Sequence, residues 1–188
     1  LRLYSVYGTY QSTWSGHNYS IIDIEWIPGY GPITLDSSGK AIRWSNYGSS
    51  YMTWNMNSTS VIDMAVTSSG GWYYVAFNLG SVVYEYNAIQ QSYNLTQTYR
   101  SNGTSFKRIE YDSSHNYLYA ATSNSYVVYF SCQTGTQYYS NISTSYTAKD
   151  MKLMSNNYVA ILTSGNYIYK FYYTPTSATY FCNFYVIF

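Results

Sequence analysis

The chain has 188 residues, of which 9% are charged, 46% apolar and 21% aromatic, and Tyr alone accounts for 28 of them. Nine Lys and Arg against eight Asp and Glu give a net charge of +1, scattered along the chain, which supplies no electrostatic basis for nucleic-acid binding. No apolar run approaches the ~18 residues that span a bilayer, and the length and apolar content suit one domain with a substantial core.

The first stretch, Tyr4-Ser5-Val6-Tyr7-Gly8-Thr9-Tyr10-Gln11-Ser12-Thr13-Trp14, returns forty residues later as Trp44-Ser45-Asn46-Tyr47-Gly48-Ser49-Ser50-Tyr51-Met52-Thr53-Trp54. The offset continues from Ser20-Ile21-Ile22-Asp23 to Ser60-Val61-Ile62-Asp63. Four strand ends with an aromatic, Ile42-Arg43-Trp44, Tyr84-Glu85-Tyr86, Val128-Tyr129-Phe130 and Tyr169-Lys170-Phe171, have last residues 42, 44 and 41 positions apart. Repeats of roughly 40–45 residues built from short strands mark β-propeller blades. In the second copy, Val61 to Val66 reads as an inner strand, Trp72 to Phe77 as the second, Val82 to Tyr86 as the third and Ser92 to Tyr99 as the outer one. Turn residues lie between them, at Thr67-Ser68-Ser69-Gly70-Gly71 and Asn78-Leu79-Gly80-Ser81.

The expected fold is therefore all-β, a propeller of four-stranded antiparallel blades with about four and a half blades present. A partial blade covers 1–19, and full blades cover about 20–59, 60–104, 105–146 and 147–188. A half blade fits poorly into a four-bladed ring, so the pattern points to part of a larger propeller, and Leu1 in place of a starting Met accords with processing or truncation.

The run from Thr67 to Tyr86, with Ser69-Gly70 in one turn and Gly80-Ser81 in the next, resembles the two hairpins of the WD40 family. Asp36-Ser37-Ser38-Gly39 and Asp112-Ser113-Ser114-His115 resemble the same kind of turn. The resemblance implies a propeller. It assigns the family's Gly-His dipeptide to no blade, and Ser45, Asn87, Ser131 and Tyr172 follow the closing aromatics where that family has Asp.

Tyr covers apolar surface while its hydroxyl stays neutral to about pH 10, so a surface rich in Tyr, Ser, Thr and Asn responds little to acid. This composition points to a protein that works outside the cell, on a cell or virion surface. Five sequons, at Asn18, Asn57, Asn94, Asn102 and Asn141, agree with that address. Asn18, Asn57, Asn102 and Asn141 are expected in segments joining an outer strand to the next inner strand, hence on one face. Cys132 and Cys182 are too few for a disulfide framework; they either pair between blades or stay as buried thiols.

No catalytic residue and no cofactor are expected. Asp23, Asp63 and Asp150 recur at the starts of inner strands, with Arg108 at the matching place. They either line a channel mouth, as a glycosidase's acid pair would, or accept backbone hydrogen bonds between blades. His17 and His115 lie in turn-like sequence without a third ligand, so they are expected to be solvated and to hold no metal. Trp14 and Trp54 occupy equivalent outer-strand positions and are the candidates for a recognition edge. The partners expected are protein subunits of a larger assembly or surface glycans, in attachment or structural assembly. A carbohydrate-active enzyme and an intracellular WD40-like adaptor are the alternatives.

Overall fold

The computed structural model describes residues 1–185 except 6, 46, 47, 70, 90–94, 102, 155, 156, 175 and 176. Eighteen strands and no helix make up its regular elements among those residues. A two-stranded hairpin, β1 (Arg2–Tyr4) and β2 (Tyr10–Thr13), comes first. Four antiparallel sheets follow, each with its strands paired in chain order. The first blade holds β3 (Ile21–Ile27), β4 (Gly31–Asp36), β5 (Lys40–Trp44) and β6 (Ser50–Asn55), and the second β7 (Asp63–Ser69), β8 (Trp72–Asn78), β9 (Val82–Asn87) and β10 (Leu95–Arg100). The third holds β11 (Phe106–Asp112), β12 (Tyr117–Thr122), β13 (Tyr126–Ser131) and β14 (Gln137–Ser143), and the fourth β15 (Ala148–Met154), β16 (Tyr158–Thr163), β17 (Tyr167–Thr174) and β18 (Ser177–Tyr185). This is a propeller with four full blades, as the repeat requires.

The inner strand of the second blade departs from its expected bounds. It begins at Asp63, paired with Asn78, and runs through Ser69, paired with Trp72, so Thr67 to Ser69 extend the strand instead of forming the turn. Val61 lies ahead of the strand and is 2% exposed because it packs between the first two blades.

The second and third blades are buried on both faces, so the core consists of interfaces between blades. Ile27, Ile33, Leu35, Met52 and Trp54 of the first blade meet Met64, Val75 and Phe77 of the second. Ala65, Ala76, Val83 and Tyr99 meet Phe106, Ile109, Leu118 and Phe130 of the third. Tyr119, Ala121, Val127 and Tyr129 meet Met151, Val159, Ile161 and Phe171 of the fourth. A smaller cluster packs Leu1, Leu3 and Trp14 of the hairpin on Ile42 and Trp44. Alternation along each strand, with side chains pointing to opposite faces, makes this double burial possible.

Trp14 and Trp54 are part of this interior, which corrects their expected place on a recognition edge. Trp54 is 1% exposed, with its ring 5.8 Å from that of Phe77 on the next blade. Trp14 packs tilted against Trp44, ring centroids 5.8 Å apart, and donates its indole N–H to Ser12 Oγ at 3.0 Å. The side chains of an outer strand still point alternately at the neighbouring blades, so an outer position does not imply an exposed one. Gly48 allows this seat: it has φ +84°, and a Cβ there would overlap the Trp14 indole.

Trp54→Ala would remove the largest side chain from the first blade interface. We expect a loss of about 3–5 kcal/mol in unfolding free energy, measured by urea denaturation followed through near-UV circular dichroism. A loss below about 1 kcal/mol would contradict the packing described.

Candidate functional site

The inner strands β3, β7, β11 and β15 line a common cleft of about 210 Å³. Its walls carry Asp23, Glu25, Asp63, Arg108, Glu110, Asp150 and Lys152, which include five of the eight carboxylates of the chain. The outermost ring ties one blade to the next. Asp23 accepts the Ile24 amide of its own strand at 2.8 Å and the Met64 amide of the second blade at 2.9 Å. Asp63 accepts the Ile109 amide of the third blade at 2.6 Å. Arg108 replaces the acid in the third blade and pairs through Nε with Asp150 Oδ1 of the fourth at 3.5 Å. The recurrence of Asp at strand starts thus serves blade-to-blade hydrogen bonding. Two residues further along, Glu110 and Lys152 form an ion pair, with Glu25 beside them.

Crowding of acids in a partly dry cleft disfavours their charge. Burial, then repulsion from Glu110 and Asp23, pushes the Glu25 carboxyl up to about 7. Burial pushes Asp63 up to about 7 despite the Ile109 amide, with Asp23 adding repulsion. Asp23 and Glu110 also lie above their ordinary values, chiefly through burial.

The other three carboxylates are internal. Asp36 is 0% exposed; it accepts from Ser38 through its hydroxyl at 2.6 Å and its amide at 2.9 Å, and lies 2.7 Å from His17 Nδ1. His17 Nε2 lies 2.6 Å from Thr34 Oγ1, which also receives the Trp44 indole N–H at 2.7 Å. Burial alone would raise Asp36, but the hydrogen bonds from Ser38, His17 and Lys40 outweigh it and hold the carboxyl below its ordinary value. His17 is therefore a buried bridge between turn and strand, contrary to the solvated role expected of it. It also corrects the reading of the WD40 resemblance, since Gly16-His17 is a Gly-His dipeptide placed just ahead of β3. His115 is likewise partnered, with Nδ1 2.7 Å from Asp112 Oδ2. Asp112 is held below its ordinary value, burial being outweighed by hydrogen bonds from Ser114 and His115.

Glu85 accepts from Tyr99 at 2.7 Å, from Thr96 at 2.9 Å and from Tyr111, at a polar cavity of about 330 Å³ that Gln97, Asn116 and Cys132 also line. Cys132 is a free thiol in this structure, so it forms no bridge to Cys182, whose backbone lies in β18. Burial pushes the Cys132 thiol up to about 12, which leaves it protonated and a poor nucleophile at neutral pH. Among the described residues, no three His, Cys, Asp or Glu side chains could hold a metal ion. No helix among them is long and apolar enough to cross a membrane.

The two ends of the sheets differ. Asn18 and Asn57 are exposed in connections from one blade to the next, on the same face. Asn141 lies within the outer strand β14 and not in a connection, because pairing with β13 continues to Ser143. Asn94 and Asn102 lie outside the described residues. Turns between first and second and between third and fourth strands emerge at the opposite end. There Tyr30, Tyr51 and Trp72 are 41%, 48% and 44% exposed. Tyr30 packs edge-on to Tyr73 at 5.6 Å across the first two blades. The Arg43 guanidinium lies 3.9 Å from the Tyr51 ring centroid and 5.7 Å from that of Tyr30. Sequence reasoning passed over this aromatic group; its signal was the glycine directly ahead of each of Tyr30 and Trp72, in Pro28-Gly29-Tyr30 and Gly71-Trp72.

No protein-family description matches the chain, and no curated protein matches it by sequence. In structure it is similar to the β-propeller domain of Myceliophteria thermophila Cps50 (Swd1), with a TM-score of 0.81 at 14% identity over 96% of this chain and 64% of that one. It is also similar to the computationally designed protein Ika8, with a TM-score of 0.69 at 10% identity over 95% of this chain and 53% of that one. The chain thus spans less than two thirds of either structure. At these identities the likeness establishes the propeller fold.

The channel acids have a signed consequence for stability. A carboxyl raised on folding holds its proton more tightly in the folded chain, so its contribution is full below its ordinary value and disappears as pH rises through the folded value. For Asp63, raised from 3.8 to about 7, and Glu25, raised from 4.5 to about 7, stability should fall across those intervals. Asp36 and Asp112 act oppositely, and only below their ordinary value of 3.8. Urea denaturation across this range should show the decline in the parent chain and a flatter profile in Asp63→Asn/Glu25→Gln; identical profiles would contradict the assignment.

Proposed function

We propose that this chain is a non-enzymatic, WD40-like propeller module of a secreted or virion-surface protein, acting in attachment or in structural assembly. The observation that carries the non-enzymatic part is the use of Asp23 and Asp63, the recurrent channel acids, as acceptors for the amides of Met64 and Ile109. The WD40 relationship draws on Gly16-His17 and its contacts with Asp36 and Thr34, the latter shared with Trp44. Attachment draws on Tyr30, Tyr51 and Trp72, exposed aromatics opposite Asn18 and Asn57; aromatic groups of this kind anchor protein partners and stack on sugars. The surface address draws on composition and the sequons. An upward shift of channel carboxyls also favours the folded chain in acid, in keeping with work outside the cell.

Peptide mapping with intact mass of the native protein tests the address. Glycans on Asn18 and Asn57 are expected; bare asparagines with reduced thiols would favour the intracellular adaptor. On the binding side, Tyr30→Ala/Trp72→Ala should weaken capture by the native assembly or by a glycan array at least tenfold while leaving thermal unfolding unchanged. Retained binding would remove this face from the site.

A carbohydrate-active enzyme is the second reading, favoured by Glu25, whose carboxyl near 7 is poised as a general acid with Glu110 beside it. Turnover of polysaccharide substrates that disappears in Glu25→Gln and Glu110→Gln would establish it. The non-enzymatic reading expects no turnover in any of the three chains.

A further inference from the structure

The residue just before the closing aromatic of a third strand faces the following blade, and the repeat supplies its own comparison. Arg43 pairs across its sheet with Ile33 and Met52, Glu85 with Ala76 and Gln97, and Tyr129 with Tyr119 and Tyr138. Directly paired residues share a face, so Arg43, Glu85 and Tyr129 occupy equivalent places in the three successive interfaces between full blades. Two of these places are filled. The Arg43 guanidinium lies over the Tyr51 ring, and the Tyr129 ring stacks 5.4 Å from Tyr119 and 5.1 Å from Tyr138. In the second interface Ala76 stands where the others have Ile33 and Tyr119, and the space left around Glu85 is the polar cavity of about 330 Å³.

The cavity has a definite chemical bias. Glu85 is 5% exposed and is the only charged residue among the described residues that line it. Tyr99 donates to Glu85 Oε2 at 2.7 Å, Tyr111 donates to the same oxygen, and the Thr96 hydroxyl is shared between Oε1 at 2.9 Å and the Glu85 carbonyl at 3.0 Å. Burial and the Glu85 charge push both phenols above their ordinary values, so they keep their protons. A hydroxyl carries one proton; with all three directed at Glu85, these oxygens can only accept from anything else. The carboxylate retains one acceptor site, on Oε1, since Oε2 already takes two donors. The surroundings of Glu85 thus ask for a donor that carries positive charge. A guanidinium matches a carboxylate through two parallel bonds to both oxygens, which Oε2 has no room for, whereas an ammonium is a point donor. Among the described residues no three His, Cys, Asp or Glu gather for a metal ion.

We propose that the cavity between the second and third blades is a binding site for a primary alkylammonium group, which donates to Glu85 Oε1 and lays its alkyl chain along Tyr74. The volume is at the lower end of the roughly 300–1,000 Å³ of small-ligand sites and suits a short chain with one charged head. The way in is at Ser69 and Gln133, which line the cavity and are exposed. An aromatic ring at the wall suits both parts of the ligand, since it packs on methylene groups and attracts a cation. The ammonium is either a free small amine or the end of a lysine side chain on a partner. The site goes beyond the proposed attachment role and stands on the cavity alone, independent of Tyr30 and Trp72.

The test titrates n-butylammonium, n-butanol and n-butylguanidinium into the full chain and follows the backbone amides of Thr96, Gln97 and Cys132 by NMR. Butylammonium should shift them saturably, with a Kd on the order of 1 mM. The alcohol, of the same shape without the charge, should bind at least about tenfold more weakly, as for one hydrogen bond to a charged group, and the guanidinium more weakly than the ammonium. Glu85→Gln, with shifts elsewhere in the chain unchanged, should lose butylammonium binding; should that variant fail to fold, the comparison of the three ligands on the unaltered chain decides by itself. No saturation by about 20 mM, equal binding of the alcohol, tighter binding of the guanidinium, or full binding by folded Glu85→Gln would each overturn the proposal. Nα-acetyl-lysine N-methylamide distinguishes the sources: binding as tight as butylammonium supports the site as one for a partner's lysine, and binding about tenfold weaker supports it as one for a free amine.

Discussion

Face-to-face packing of one sheet on the next is the contact on which everything else in this molecule rests. A single four-stranded blade has two apolar faces and no interior of its own; Ile33 and Leu35 are dry only because the second blade covers them. Burial of that kind contributes roughly 25 cal/mol per Å² of apolar area, and no other term available to a chain with 9% charged residues is of comparable size. The hydrogen bonds from Met64 to Asp23 and from Ile109 to Asp63 then fix how adjacent inner strands sit relative to each other.

Scarcity of charge is matched by economy in its use. The eight carboxylates divide between the channel ring and three internal networks, around His17, around Tyr99 with Tyr111, and around His115. A buried acid is tolerated only where donors surround it, as Ser38, Lys40 and His17 surround Asp36. The outer surface is left largely to Tyr, Ser, Thr and Asn, so it presents aromatic faces and neutral hydrogen-bonding groups. Tyr30, Tyr51 and Trp72 meet that description, with Arg43 held beneath them by the two tyrosine rings.

Much of the blade plan could be read from residue order. The return of Tyr4 to Trp14 as Trp44 to Trp54 relates β1 and β2 to β5 and β6, because paired strands keep the same spacing wherever the repeat recurs. Strand ends were less legible: Thr67 to Ser69 have turn-like composition yet pair with Tyr74 to Trp72, since an antiparallel partner can extend a strand through residues of weak preference. The Trp residues misled for a related reason. Their spacing located them on outer strands, but the direction of Trp54 toward Phe77 depends on which face the next blade covers.

The sequence by itself determined that the chain is a blade repeat, how many strands it holds, where its Asp residues recur, and that charge is scarce, because all of these follow from local order and composition. Tertiary structure decided what the recurrent and singular residues do. That Asp63 ties its blade to the Ile109 amide of the next, and that His17 bridges Asp36 and Thr34, depend on neighbours contributed by other strands. Contacts between residues some forty positions apart form only when the sheets stack, and no pattern within one repeat records what lies against it.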